Sequence, residues 1–250
     1  VTRTGTSGRA AGVDPEALWA PAARPRRGRP PAHSRAAVTA AAVALADAEG
    51  LGAVTMRAVA ARIGAGTMSL YSYVPNKETL LELMIDEVGG GHRLPEPSGD
   101  WRADLRRLFH EQRAIMRRHP WLPAALPARQ TFGPNTLAAL EYALTVLAPA
   151  GLDARAGLEV FSLLSGFVAS HVTHELAQEQ AAHNADNAGD AGNTAHAFHE
   201  AQTRYLRSPA VADAYPTVSH ALTEPDAAPS PDATFDRLLD RMINGLAGAG

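Results

Sequence analysis

The sequence predicts an all-α protein in which an N-terminal three-helix unit containing a helix-turn-helix is joined to a larger helical body. Three observations carry that prediction. Apolar residues recur at offsets of three and four along most of the chain, the spacing that gathers them on one helix face. No strand-like alternation of useful length appears. Residues 55 to 77 parse as two short helices with a tight glycine turn between them.

Composition sets the bounds. A chain of 250 residues buries a full core, and 46% hydrophobic with 20% charged residues is the balance of a soluble globular protein. No apolar run approaches the roughly 18 residues a membrane span needs, and the start has no hydrophobic signal-peptide core, so we expect no membrane partner and a cytoplasmic location. Cysteine is absent, which removes disulfides and thiolate metal sites. Lys77 is the only lysine among 23 basic residues, a bias that says nothing about partners. The net charge of -3 is unevenly spread. Residues 1 to 81 carry 10 basic and 5 acidic side chains, and residues 82 to 250 carry 13 and 21, so a polyanion is met by the first part and repelled by the second.

Residues 1 to 33, rich in Gly, Ala, Pro and Arg, form a flexible basic arm. Asp14 to Ala20 interrupts it as one helical turn starting at Asp14, with Trp19 available to dock on the folded body. Further on, Arg27-Gly28-Arg29-Pro30 resembles the minor-groove AT-hook, in which glycine lets an extended Arg-Gly-Arg lie close in the narrow groove. Ser34 caps a helix running to about Ala48, with Val38, Ala42 and Leu45 as its buried stripe.

Thr55 caps the first helix of the helix-turn-helix, Val59, Ala60 and Ile63 make its apolar face, and Gly64 ends it. Thr67 is the candidate cap of the second. There Leu70 and Val74 face inward, leaving Met68, Ser69, Tyr71, Ser72 and Tyr73 outward until Pro75 breaks the helix. Asn76 caps the next helix, whose apolar face is Leu80, Leu81, Met84, Ile85 and Val88, and Gly89-Gly90-Gly91 stops it.

From Asp100, a seam of Trp101, Leu105, Leu108, Phe109, Gln112, Ile115 and Met116 predicts a helix up to His119-Pro120. Pro120, Pro123 and Pro127 allow only short helical pieces around Trp121 and Leu126. Leu137, Leu140, Leu144 and Leu147 mark another helix. The one from 153 to 179 is apolar nearly all round, through Leu158, Val160, Phe161, Leu163, Leu164, Phe167, Val168 and Val172. Residues 180 to 196 read as a mobile loop, followed by a weak helix to Leu206, a short one near Val211 to Leu222 and a proline-rich linker over 224 to 232. The last helix, 234 to 246, places Phe235, Leu238, Leu239, Met242, Ile243 and Leu246 in a regular stripe. Both this helix and that at 153 to 179 are too apolar for a monomer.

The run Thr55-x-Arg57-x-Val59-Ala60-x-x-Ile63-Gly64, continued by Leu70-Tyr71-x-Tyr73-Val74-x-Asn76-Lys77, resembles the DNA-binding domain of the TetR family of one-component transcriptional repressors. The resemblance implies a division into an arm (1–33), a helix-turn-helix DNA-binding domain (34–76) and a helical ligand-binding and dimerisation domain (77–250). It implies DNA contacts from Arg57, Thr67, Met68, Ser69, Tyr71, Tyr73 and Lys77, with Thr55 near phosphate and Arg27 and Arg29 reaching the minor groove. Gly66, Thr67 and Met68 offer no bidentate base contact, so methyl and hydroxyl contacts and shape readout are expected.

The same resemblance implies a homodimer on a palindromic double-stranded operator, built through helices 153–179 and 234–246 and released by a small apolar effector. Phe109, Met116, Trp121, Phe132, Leu140, Phe161, Ser165, Phe167 and His171 are the candidate pocket lining, between the helices at 100–119, 136–148 and 153–179. The helix at 77–88 is the expected lever, and no cofactor is implied. Two alternatives remain at this point. His171 and His174, with Glu175, stand close enough on one helix to share a metal in an all-helical enzyme. No third ligand is evident and the H-E-x-x-H spacing is absent, so we expect neither a metal nor an enzyme. The other alternative is a DNA-binding dimer without any effector.

Overall fold

Short polar side chains begin the helices by taking up backbone N–H groups that have no partner within the first turn. Ser34 Oγ accepts from Ala37 N at 3.1 Å, Thr55 Oγ1 from Ala58 N at 3.1 Å and Asn76 Oδ1 from Thr79 N at 2.7 Å. Asp100 Oδ1 accepts from the amides of Arg102 and Ala103, both at 3.1 Å. These caps start the helices where the sequence places them. The computed structural model describes residues 13–20, 33–91, 94–129, 131–187, 200–223 and 230–246, and all regular structure among them is helical. Arg27 and Arg29 lie outside the described residues.

In order, the helices are α1 (Pro15–Trp19), α2 (Arg35–Glu49), α3 (Met56–Arg62), α4 (Thr67–Leu70), α5 (Lys77–Gly89), α6 (Trp101–Arg118), α7 (Leu122–Ala125), α8 (Pro134–Leu147), α9 (Ala154–Asn187), α10 (200–206), α11 (Pro209–Ala214), α12 (Pro216–Thr223) and α13 (Pro231–Gly245). They fall into two compact units that meet within α9, one reaching Ser170 and the other His171–Leu246.

In the first unit α2 buries Val38, Ala42 and Leu45, the expected stripe, and α3 buries Val59 and Ala60. The chain leaves α3 through Gly64 at φ +70°, and the bonds Ala65 N to Ala60 O (2.9 Å) and Gly64 N to Ala61 O (3.2 Å) close a Schellman motif. Glycine is needed there because a side chain is strained at that φ. Leu70 and Val74 are fully buried against this corner.

The second helix of the pair differs from expectation in two ways. Its N-cap is Gly66, extended at φ -71° and ψ 142°, and Thr67 is the first helical residue with no side-chain capping bond. It is also a single α-turn, after which Tyr73 N and Val74 N both return to Leu70 O, at 2.9 and 3.0 Å, and wind the chain tightly to Pro75. Ser72 Oγ donates to Ser69 O at 2.6 Å, a local bond that competes with continued helix.

α5 buries Leu80, Met84, Ile85 and Val88 and also two acids, Glu82 and Asp86. Asp86 caps α8. Its Oδ1 accepts from Thr136 N (2.9 Å) and Thr136 Oγ1 (3.1 Å), its Oδ2 from Asn135 N (3.3 Å), and Asn135 Nδ2 donates to Asp86 O (3.1 Å). Gly133 lies so close that a Cβ there would stand 2.3 Å from Asp86 Cγ. At the far end of α2, Asp47 Oδ1 accepts from Trp121 Nε1 at 2.7 Å and lies 2.8 Å from His119 Nδ1.

The predicted leucine stripe of α8 is corrected. Leu137 is 52% exposed, and the buried residues are Ala143, Val146 and Leu147. Leu147 keeps its place in the core at 1% exposed, while Leu140 and Leu144 are half-buried and Leu144 reaches toward Gly157 on α9. α9 itself, entered through Asp153 Oδ1 accepting from Ala156 N at 2.8 Å, leaves Leu158 and Leu163 exposed at 42% and 61%.

α9 corrects one further expectation. Residues 180–187 continue the helix, since Gln-Glu-Gln-Ala-Ala contains good helix formers and no Gly or Pro. An 18-residue window within Ala154–Asn184 reaches a mean hydropathy of 1.3, enough by length and composition alone to cross a membrane, a test that core helices of soluble proteins also pass. An averaged window tolerates the Ser, Gly and Glu residues that break up any apolar run.

In the second unit α13 buries Phe235, Leu239 and Ile243 completely, while Leu238, Met242 and Leu246 stay half-buried. Ser230 Oγ caps α13 through Ala233 N at 3.2 Å, so it starts earlier than its apolar stripe suggests. Pro216 splits the expected Val211 to Leu222 helix into α11 and α12, and Ser219 Oγ donates to Leu206 O at 2.6 Å.

Candidate nucleic-acid interface and ligand cavity

Two features share α5. One is the outward face of α3 and α4, which ends where α5 begins at Lys77. The other is a cavity walled partly by Ile85 and Gly89 near the C-terminal end of α5.

On the first, burying Leu70 and Val74 forces the residues between and before them outward. Met68 is 82% exposed and Tyr71 43%. Arg57, Ser69, Ser72 and Lys77 are exposed, Thr67 and Tyr73 are half-buried, and the Tyr73 ring meets His33 edge-on at 6.5 Å. The hydroxyl of Thr55 is engaged in its cap, so Thr55 offers an incoming phosphate the start of α3 rather than a swinging side chain. The set presents one thioether, hydroxyls and two cations, suited to phosphate and shallow groove contact.

The cavity has a volume of about 380 Å³. Gln112, Ile115 and Met116 of α6, Leu122 to Arg129 around α7, Thr136 and Ala139 of α8, and Phe161 and Ser165 of α9 complete its wall. Of the residues expected from sequence, Met116, Phe161 and Ser165 line it. Phe109 lies behind, fully buried with its ring 5.9 Å from Phe161. Trp121 is held by Asp47, and Phe132 is 51% exposed beneath the Arg129 guanidinium at 4.7 Å. Leu140 and Phe167 are half-buried and do not line it.

His171 belongs to the other unit, where its Nε2 lies 3.2 Å from Glu175 Oε1 and its ring 5.3 Å from Phe235. His174 pairs with Gln178 at 2.9 Å, so the two histidines turn to different partners. Among the described residues no group of three or more His, Cys, Asp or Glu is placed to hold a metal ion.

Three polar groups on the cavity wall have chemistry to offer. Gln112 Oε1 and Ser165 Oγ are buried with no hydrogen-bond partner among the described residues. Burial holds the Arg129 guanidinium below its ordinary value, against the opposing pull of Glu82 and Asp86. An apolar wall with a few such groups is how small-molecule sites fix orientation. Arg129, Thr136 and Ala139 were not legible as lining. The only signal was the proline-broken stretch after His119, which has to turn and therefore makes an irregular wall.

Comparison with known proteins assigns both halves. Residues 38–84 match the family described as bacterial regulatory proteins, tetR family, and residues 94–249 match the tetracyclin repressor-like C-terminal domain. The chain is 37% identical over 233 residues to the HTH-type transcriptional repressor DrrR1 of Streptomyces coeruleorubidus, covering 92% of this chain and 83% of that one. An HTH-type transcriptional regulator of Saccharopolyspora erythraea is 37% identical over 139 residues, 55% of this chain and 59% of its own. Among solved structures, the Streptomyces coelicolor TetR family protein ActR in complex with actinorhodin superposes with a TM-score of 0.70 at 30% identity, covering 87% of this chain and 99% of ActR.

Proposed function

The chain belongs to the TetR family and is a DNA-binding transcriptional repressor, not an enzyme, and from that premise we propose that a homodimer holds a palindromic operator and releases it when a small, largely apolar molecule fills the cavity. The observation that carries this reading is the position of α5. It starts one residue after the cap that follows the DNA-reading turn, and Ile85 and Gly89 of the same helix wall the cavity. A molecule that fits the cavity only when α5 has shifted binds the DNA-incompetent state better, which is the condition for release.

We divide the chain functionally into a basic arm to residue 33, the DNA-binding domain over 34–76 and the effector and dimerisation domain from 77. Arg57, Thr67, Met68, Ser69, Tyr71, Tyr73 and Lys77 face the DNA, with Thr55 at a phosphate and Arg27 and Arg29 in the minor groove. In one unit the exposed Leu158 and Leu163 of α9, and in the other the half-buried Leu238, Met242 and Leu246 of α13, each support a second copy as cover. ActR is seen with actinorhodin, so a polycyclic aromatic molecule is the first effector to try. Such a regulator works where the chromosome is, in the cytoplasm.

The test is an electrophoretic shift of DNA from upstream of the protein's own gene at low salt. Wild type retards the fragment and Tyr71→Ala does not. An unchanged shift with Tyr71→Ala would sink the assignment of the reading face.

A further inference from the structure

Residues 13 to 20 precede both stretches that match the family models, 38–84 and 94–249. They are nevertheless built into the first unit. Asp14 Oδ1 caps α1 by accepting from Glu16 N (3.1 Å) and Ala17 N (3.3 Å), and Leu18 is only 5% exposed. Leu18 O accepts from Arg35 Nη1 at 2.8 Å, and Arg35 is the first residue of α2. Trp19 Nε1 donates to Thr131 Oγ1 at 3.0 Å. The Thr131 hydroxyl in turn donates a hydrogen bond to Glu82 Oε2 of α5 at 2.8 Å, and Thr131 N donates to the same oxygen at 3.2 Å.

A helix of five residues with one buried leucine does not hold itself together. Its order comes from these contacts, and through them it touches three parts at once. They are Arg35 at the start of α2, Thr131, four residues before the cavity-lining Asn135, and, by way of the Thr131 hydroxyl, Glu82 of α5. A hydroxyl acts as donor and acceptor together, so Thr131 makes the Trp19 bond and the Glu82 bond one linked unit.

We propose that α1 is a cross-brace and that Trp19 and Thr131 are positioning residues for DNA binding, fixing α2 against the cavity wall in the DNA-competent state. This rests on the repressor reading above. When α5 moves against the 129–136 segment, Glu82 leaves Thr131, the hydroxyl turns, Trp19 loses its acceptor, and the support that Leu18 O gives Arg35 goes with it.

The experiment uses the full chain and the variants Trp19→Phe, Thr131→Val, the double variant and Thr131→Ser. Two measurements are made: affinity for the DNA upstream of the protein's own gene, and amide exchange without DNA. We expect Trp19→Phe and Thr131→Val each to weaken DNA binding about five- to tenfold, the ratio one hydrogen bond supplies. The double variant should be no weaker than either single one, because both break the same path, and Thr131→Ser should restore wild-type affinity. Without DNA, Trp19→Phe should speed exchange at residues 35–39 and 131–136 as well as at 14–20. Affinity within twofold of wild type, losses that add, or faster exchange confined to 14–20 overturns the proposal. Failure of the wild type to bind the fragment counts against the repressor reading instead, and the exchange measurement still decides the brace.

Discussion

Gly133→Ala isolates the contact that joins α5 to α8. Gly133 sits at φ -79° and ψ 172°, a conformation alanine adopts freely, so the backbone raises no objection. The added Cβ would stand 2.3 Å from Asp86 Cγ and 2.4 and 2.7 Å from its carboxylate oxygens. Ordinary carbon contacts begin near 3.5 Å, so the carboxylate has to retreat by roughly 1 Å. Bonds now at 2.9, 3.1 and 3.3 Å from Thr136 and Asn135 then stretch past about 3.5 Å, where they no longer count. Asp86 is only 5% exposed, so water replaces them poorly. Stripping a buried carboxylate of its partners costs about 3–5 kcal/mol, and the smaller unfolded-state entropy of alanine returns about 0.4–1 kcal/mol.

We therefore expect a net loss of about 2.5–4 kcal/mol in urea unfolding, and a melting point lower by about 5–15 °C. Asp86→Ala combined with Gly133→Ala should be no less stable than Asp86→Ala alone, because the clash has lost its target. Gly157→Ala is the control. Its Cβ meets Leu144 Cδ2 at 2.8 Å, the mobile tip of a side chain, and should cost less than about 1 kcal/mol. If Gly133→Ala unfolds within about 1 kcal/mol of wild type, the Asp86 cap does not hold α8 and the reasoning fails.

Leu70→Ala removes a fully buried side chain from the helix-turn-helix and should cost about 2–5 kcal/mol, read as early melting together with loss of the DNA shift. Ser165→Leu fills the cavity and removes an unpartnered buried hydroxyl, so DNA binding without effector should persist while release by an active effector needs at least tenfold more of it; unchanged release places the effector elsewhere. Burial, and after it the Asp104 carboxylate, push the Tyr142 phenol above its ordinary 10. The unfolded chain then ionises first, so this group's contribution is full below pH about 10 and is lost as pH rises through the folded-state value. The Tyr142 hydroxyl has no hydrogen-bond partner among the described residues, so Tyr142→Phe should leave neutral-pH stability within about 1 kcal/mol and flatten the alkaline decline in a pH series of melting curves.

What the sequence determined by itself was local. Caps at Ser34, Thr55, Asn76 and Asp100, the glycine stop at Gly64, and the inward pair Leu70 and Val74 depend on residues within one helical turn of each other, so spacing and side-chain type suffice to read them. The outward face of α3 and α4 follows from that pair and was legible for the same reason. The cavity was not, because three of nine expected residues line it and its wall depends on how α5, α6, α7, α8 and α9 pack across long stretches of sequence.

Tertiary structure also decided the polar junctions. Glu82 and Asp86 lie on the same helix as its apolar stripe, yet both are buried by partners roughly 50 residues away, and the spacing of apolar residues gives no sign of either junction. Trp19 was visible as a residue able to dock, but only the fold supplies Thr131, 112 positions later, as its acceptor. A hydrogen bond leaves no periodic trace in the chain, and its partner is chosen by packing that spacing alone does not encode.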